Sequence, residues 1–263
     1  MLERQYYLGF SNFSGIGPIK FKKLIKHFGS AKSAWNAPIS ELEQIVGKSL
    51  AGKFESFRKE FDIELYLKKL DKQRIKFVCL NEKEYPPLLK KIPNPPIVLF
   101  VKGNVGVLSL VFPPASAPRR LTRLRAVGNP STRTTPPLIA IVGTRHITSY
   151  GREITEMFAS ELSNAGLIIV SGMAYGVDGV AHKATIDANG KTIAVLGNGV
   201  DQAYPRENQK LYEEILDGGG AIVSEYPPGE PPSVGSFPAR NRIVAGKRFV
   251  GICYTGNVGR SGR

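Results

Sequence analysis

From residue 138 onward, short apolar runs alternate with longer amphipathic stretches, and this alternation leaves few folds open to the chain. The runs Leu138 to Val142, Leu167 to Val170, Thr192 to Leu196, Ala221 to Ser224 and Phe249 to Cys253 are predicted strands. Between them, Tyr150 to Ala165, Gly176 to Ala188 and about Glu207 to Leu216 are predicted helices. Strands that are apolar at nearly every position are buried on both faces, which calls for parallel pairing with helices above and below. The expected fold is α/β, an extended Rossmann-like doubly wound parallel sheet. Ligands of such a sheet sit at the carboxyl ends of its strands.

The first four predicted strands each leave the sheet through a special turn. The first gives Gly143-Thr144-Arg145, the second Ser171-Gly172-Met173-Ala174-Tyr175-Gly176, the third Gly197-Asn198-Gly199, and the fourth Ser224-Glu225-Tyr226-Pro227-Pro228-Gly229. Glycine at a strand exit permits close backbone approach, and the start of a following helix attracts phosphate. Arg145 adds a forked cation for a phosphate oxygen. Any one of these glycines can equally do no more than shape a tight turn; several on one edge point to a phosphate-binding rim. No G-x-G-x-x-G and no G-x-x-x-x-G-K-[ST] occurs, so the usual dinucleotide and nucleoside-triphosphate fingerprints are absent. Further on, Phe237-Pro238-Ala239-Arg240-Asn241-Arg242 sets an aromatic before two arginines, just ahead of a helical stretch. A base can stack on Phe237 while the arginines take phosphates. Phe237 can also plug the core, and Arg242 can pair with an acid.

The front of the chain reads differently. Residues 5–65 form short helices, and Ser14-Gly15-Ile16-Gly17-Pro18 opens one in which Ile19, Phe21, Leu24, Ile25 and Phe28 recur at helical spacing before Gly29. A Gly-apolar-Gly turn is the hairpin of helix-hairpin-helix modules, where backbone N–H groups approach a phosphate. Lys20, Lys22, Lys23 and Lys26 suit that use, although two glycines can also simply shape the turn. Residues 66–103 read as a connector with short strands at Ile75 to Leu80 and Ile97 to Val101, joined through a proline-dense stretch. Residues 104–137 lose Lys and acids and gain Pro, Ser, Thr and Arg, the composition of a flexible insertion. The expected organisation is a helical domain over 1–65, the connector, the insertion, and the sheet domain from 138 to 263.

Charge supports a polyanionic partner. The net charge is +14, with 19 basic against 10 acidic side chains in residues 1–103, five Arg and no acid in 104–137, and 12 of each thereafter. A lysine-rich helix face can also be merely solvated. The longest apolar runs fall far below the ~20 residues of a membrane-spanning helix. The N-terminus lacks the layout of a signal peptide. Cys79 and Cys253 stand far apart and read as buried small hydrophobes, with no disulfide framework and no metal cluster. A cytoplasmic protein without membrane contact is expected.

Taken in order, these motifs resemble the DprA/Smf family, the DNA-processing proteins of natural transformation. The match rests on Val142-Gly143-Thr144-Arg145 with Tyr150-Gly151, then Ser171 through Asp178 with Ala181-His182. It continues through Ala194 to Asp201 with Tyr204-Pro205 and Asn208, and through Ser224 to Gly229. Phe237 to Arg242, the upstream Tyr85-Pro86-Pro87-Leu88-Leu89 and the Gly-Ile-Gly hairpin complete it.

The resemblance implies a non-enzymatic protein without cofactor or metal. Its members bind incoming single-stranded DNA, form homodimers and load the RecA recombinase. Carried over, Gly143, Thr144 and Arg145, the Ser171-Gly172 turn, and Gly176 and Gly197 would hold phosphate. Phe237, Arg240, Asn241 and Arg242 would line the same pocket, with Gly15, Gly17, Lys20, Lys22 and Lys23 as an auxiliary contact. Asp178 and His182 are read as turn and helix-capping groups. Two departures stand out: Tyr254 lies near where the family carries an acid, and 104–137 exceeds the family's short link. A chain truncated within the sheet, without the C-terminal winged helix, is the expectation, with the homodimer put in doubt. The alternative is a Rossmann-type nucleotide binder or an enzyme cleaving nucleoside monophosphates. Enzymes of that kind carry a Pro-Gly-Gly-x-Gly-Thr loop and a following acid, and Gly218-Gly219-Gly220 supplies neither.

Overall fold

A computed structural model describes residues 2–110, 138–246 and 251–254. Six helices occupy the front: α1 (Glu3–Ser11), α2 (Pro18–Phe28), α3 (Ala31–Asn36), α4 (Ile39–Val46), α5 (Lys48–Glu60) and α6 (Ile63–Lys72). Their ends follow local chemistry. Gly17 and Pro18 open α2, and Gly29, at φ +80°, closes it with an N–H bonded to Ile25 O at 2.9 Å. Ser30 caps α3 and Asp62 caps α6 through their side-chain oxygens. Phe10 is fully buried at the centre, stacked on Phe54 at 5.0 Å and edge-on to Phe21 and Trp35. The domain boundary expected at residue 65 falls inside α6.

The rest is built on one sheet. Its strands are β1 (Ile75–Cys79), β2 (Val98–Gly103), β3 (Leu138–Gly143), β4 (Ile168–Ser171), β5 (Thr192–Val195), β6 (Ala221–Ser224) and β7 (Gly251–Tyr254). The helices between them are α7 (Val105–Leu110), α8 (Ser149–Asn164), α9 (Val177–Asp187), α10 (Gln209–Asp217) and α11 (Ser236–Ala245). The order across the sheet is β1-β2-β6-β5-β4-β3-β7. All neighbours from β6 to β7 pair in parallel, as expected, while β1 and β2 extend the β6 edge antiparallel. The chain steps outward from β3 to β6 and then returns past β3 to β7. That reversal opens a crevice at the carboxyl ends of β3 and β7.

Side chains alternate between the faces with the period of two that strands impose. Ile139, Ile141 and Ile169 join Ala159 of α8 and Ala181 of α9 in one cluster. Ala140, Val170 and Ile193 join Ile243 and Val244 of α11 on the other face. A third cluster runs from Leu8 and Phe10 of the helical module to Phe100, Ala194 and Ile222 of the sheet, so module and sheet share a core.

Three expectations change here. The 66–103 connector is not a separate unit, because its strands are sheet members. The segment expected to be flexible begins with a helix, α7, in which Val107 is fully buried; residues 111–137 lie outside the described residues. The Phe237 to Arg242 run lies within α11 rather than ahead of a helix. Cys79 is buried, as expected, and burial pushes its thiol pKa up. Cys253 lies on β7, and the final residues 255–263 fall outside the described ones.

Candidate nucleic-acid interface

The strand exits meet at the open end of the sheet and are stitched to one another. Thr144 O accepts the Val177 N–H at 3.2 Å, which ties the β3 exit to the start of α9. The contact is possible because Gly176, at φ +75°, has no Cβ: one placed there would lie 2.2 Å from Thr144 O. Ser171 Oγ is consumed internally, donating to Ile141 O at 2.6 Å.

Beneath the rim, Asp178 fills the position that sequence reasoning reserved for a phosphate. Gly172 N–H donates to its Oδ2 at 3.1 Å, and the amides of Ala174 and Gly143 also bond to the carboxylate. Burial pushes the Asp178 carboxyl above its ordinary pKa, while Arg240 and the three amides pull it back. The Asp178 side chain thus joins the first two exits, a role close to the turn group expected of it.

The two arginines of α11, two residues apart on a helix, diverge. Arg240 is buried, with Nη1 donating to Gly172 O at 2.8 Å and to Val195 O, and Nε to Asn241 Oδ1 at 3.2 Å. Burial lowers its pKa, and Asp178 opposes that shift. Arg242 does not line the cleft: it grips Glu225 in a bidentate pair, and its Nε donates to Asn94 O at 3.1 Å. Pairing with an acid, one of the two readings open for this residue, is the one observed.

What remains exposed is aromatic and basic. Phe237 is half-buried and packs against Tyr204 with ring centroids 5.1 Å apart and planes tilted by 31°. The exposed guanidinium of Arg145 stands 5.7 Å from the Phe237 centroid. Among the described residues Arg145 makes no ion pair. Gly197 passes under the ring, where a Cβ would come within 3.1 Å of Phe237. Gly143, Arg145, Phe237, Arg240 and Asn241 line one cleft of about 600 Å³. Thr144 turns its Oγ1 to the His146 N–H at 3.2 Å instead.

The auxiliary residues sit elsewhere. Gly15 lacks the Cβ that would strike Leu50 at 2.4 Å, and its carbonyl accepts from Lys20 Nζ at 3.2 Å. The Gly15–Gly17 hairpin borders a small cavity together with Glu225 and Glu230, and Lys22 and Lys23 are exposed on α2. None of the five lines the cleft.

Sequence reasoning missed the tyrosines. Tyr204 lines the cleft, while Tyr175 and Tyr150 are exposed on the loop before α9 and in the first turn of α8. The available signal was that Tyr150, Tyr175 and Tyr204 fall in the segments that follow β3, β4 and β5. His182 does not cap a helix. It is fully buried, with Nδ1 2.6 Å from Thr192 Oγ1, which donates to Ile169 O at 2.8 Å. The hydroxyl proton is thereby committed, so Nδ1 carries the imidazole proton. Burial holds the His182 pKa down at about 3. Among the described residues no group of three His, Cys, Asp or Glu side chains could hold a metal ion. No described helix is long and apolar enough to cross a membrane.

Comparison with known proteins gives a consistent picture. A family profile described as DNA recombination-mediator protein A matches residues 115–250. Protein Smf of Synechocystis sp. is 36% identical over 246 residues, covering 93% of this chain and 56% of that protein. The X-ray structure of DNA processing protein A from Streptococcus pneumoniae superposes with a TM-score of 0.67 at 29% identity, over 91% of this chain and 74% of that one. A second similar structure is DNA processing protein A from Helicobacter pylori, described for its single-stranded DNA binding mode; the TM-score is 0.53 at 29% identity, over 71% and 73% of the two chains. The chain spans 51% to 59% of the length of three curated relatives it matches.

Proposed function

Given that the chain belongs to the DNA recombination-mediator protein A (DprA/Smf) family, we propose that it binds single-stranded DNA across the open end of its sheet and processes DNA in natural transformation. The observation that carries this reading is the Arg145–Phe237–Tyr204 group, an exposed guanidinium beside two packed rings on the wall of a 600 Å³ cleft. Rings offer sequence-independent stacking to bases, and the guanidinium offers a fork to phosphate oxygens.

In this reading Asp178 and Arg240 form the floor. They hold the Gly143 and Gly172 turns in place, while strand contacts come from Arg145, Phe237, Tyr204 and Asn241. A carboxylate already satisfied by three amides makes the floor a support for binding rather than a reaction centre. Delivery of the bound strand to RecA and action in the cytoplasm are finer parts of the same proposal, supported by family membership.

The test is fluorescence anisotropy of labelled oligonucleotides, single- and double-stranded, across a salt series. The parent should favour single strands, gain affinity with strand length and weaken steeply as salt rises. Arg145→Ala and Phe237→Ala should each lose affinity while keeping the fold. A parent that prefers one mononucleotide, with no gain from strand length, would turn the reading toward a nucleotide binder or nucleotide-cleaving enzyme.

A further inference from the structure

A second cleft, of about 630 Å³, lies between α2 and the proline-rich loop over residues 90–97. Its floor is apolar, with Phe21, Ile25, Leu80 and Ile92. Its rim is basic: Lys22 and Lys26, one turn apart on α2, are exposed, and Lys90 stands across from them. No acid lines it. We propose that this groove docks an acidic peptide segment of a partner protein, one that carries apolar side chains among its carboxylates.

Its walls are fixed before any partner arrives. Lys90 Nζ is held by Glu82 O at 2.7 Å and sits 5.8 Å from the centroid of the Tyr85 ring. Pro93 and Pro95 stiffen the loop, and Asn94, at φ +54°, is pinned by Arg242 through its carbonyl. A groove preformed in this way loses little entropy on binding. Lysines over an apolar floor complement carboxylates alternating with apolar side chains, and the volume lies within the ~300–1,000 Å³ of ligand-sized clefts.

Nucleic acid is the poorer match for this floor. The rings of Tyr7 and Phe21 meet edge-on at 5.0 Å, and Phe21 is 2% exposed, so no ring face is open to a base. The remaining floor is aliphatic. Such a floor rewards burial of an apolar side chain, which a phosphate backbone lacks.

The experiment titrates the full 263-residue chain into a fluorescein-labelled peptide, Glu-Asp-Glu-Ile-Asp-Leu-Phe-Glu. Two control peptides accompany it, one with lysines in place of the acids and one with serines in place of the apolar residues. The acidic parent peptide should bind and both controls should fail. The exposed double change Lys22→Glu with Lys26→Glu should weaken binding by about tenfold or more. Ile25→Ser should weaken it without altering the salt dependence, and circular dichroism of each variant verifies the fold. The proposal is overturned by no binding to the folded parent, or by binding that ignores these substitutions. Equal binding of the serine peptide would overturn it too, since charge alone would then suffice. Loss of oligonucleotide binding in the double variant with peptide binding retained would assign the lysines to nucleic acid instead. The DNA cleft shares none of these floor residues, so Arg145→Ala should leave peptide binding unchanged, and failure of either proposal is read separately.

Discussion

The guanidinium of Arg240 lies directly against Gly172: Gly172 O accepts from Nη1 at 2.8 Å, and a Cβ on Gly172 would fall 2.1 Å from that nitrogen. Two residues 68 apart in sequence thus share one small space. Gly172→Ala must displace the guanidinium, which strips a buried cation of its carbonyl partners and of its place near Asp178. We expect a loss of about 1–3 kcal/mol in stability, measured by urea unfolding. A variant as stable as the parent would show that Arg240 can move aside at no cost.

Arg242 gives a contrasting expectation. Its bidentate grip on Glu225 joins α11 to the β6 exit, and its bond to Asn94 O reaches the connector loop. With side chains 23% and 11% exposed, the pair lies mostly out of water. Arg242→Ala should cost about 1.5–3 kcal/mol, and Glu225→Gln a similar amount. The double variant should cost much less than the two together, because each change breaks the same contact. Oligonucleotide affinity, measured well below the melting temperature, should stay near that of the parent.

These two arginines mark the limit of what the sequence makes legible. Strand positions, parallel pairing and the gathering of glycine turns at one edge follow from apolar runs and their spacing, which are local signals. The fates of Arg240 and Arg242 are set by which way α11 faces, and that depends on carbonyls of Gly172 and Val195 and on Glu225, all distant in sequence. Asp178 was recognisable as a turn residue, but a carboxylate gathering three amides from two strand exits is invisible until both exits are placed. The connector strands were readable as strands; β1 pairs with β2, nearby in sequence, but β2 joins the sheet through β6, more than a hundred residues away. Tyr204 escaped because an aromatic in a loop has no periodicity to announce its role.

Arg145 and Phe237 should separate the two components of strand binding. Arg145→Ala removes one phosphate contact, so the slope of log affinity against log salt should become shallower by about 0.7. Phe237→Ala removes a stacking platform, which should lower affinity by about 1–3 kcal/mol and leave the slope unchanged. Tyr204→Ala should act like Phe237→Ala but more weakly if its ring mainly supports Phe237. Equal slopes in all three variants would place the phosphate contacts away from Arg145.

His182 gives the fold an acid limit. Burial lowers its pKa from 6.5 to about 3 in the folded state, so between those values the unfolded chain takes up a proton that the folded chain refuses. Stability therefore falls as pH drops through this window, with a slope of up to about 1.4 kcal/mol per pH unit from this group alone. Asp178 works with the opposite sign. Its carboxyl is pushed up by burial, so on acidification the folded state gains a proton there before the unfolded one does. His182→Asn keeps an amide donor for Thr192 Oγ1 and removes the titration. Its unfolding free energy should fall less steeply between pH 6 and pH 4 than that of the parent, whatever its value at neutral pH. Urea unfolding at three or four pH values measures the difference in slope directly. Parallel curves for the two proteins would mean that the buried imidazole is not what sets the acid limit.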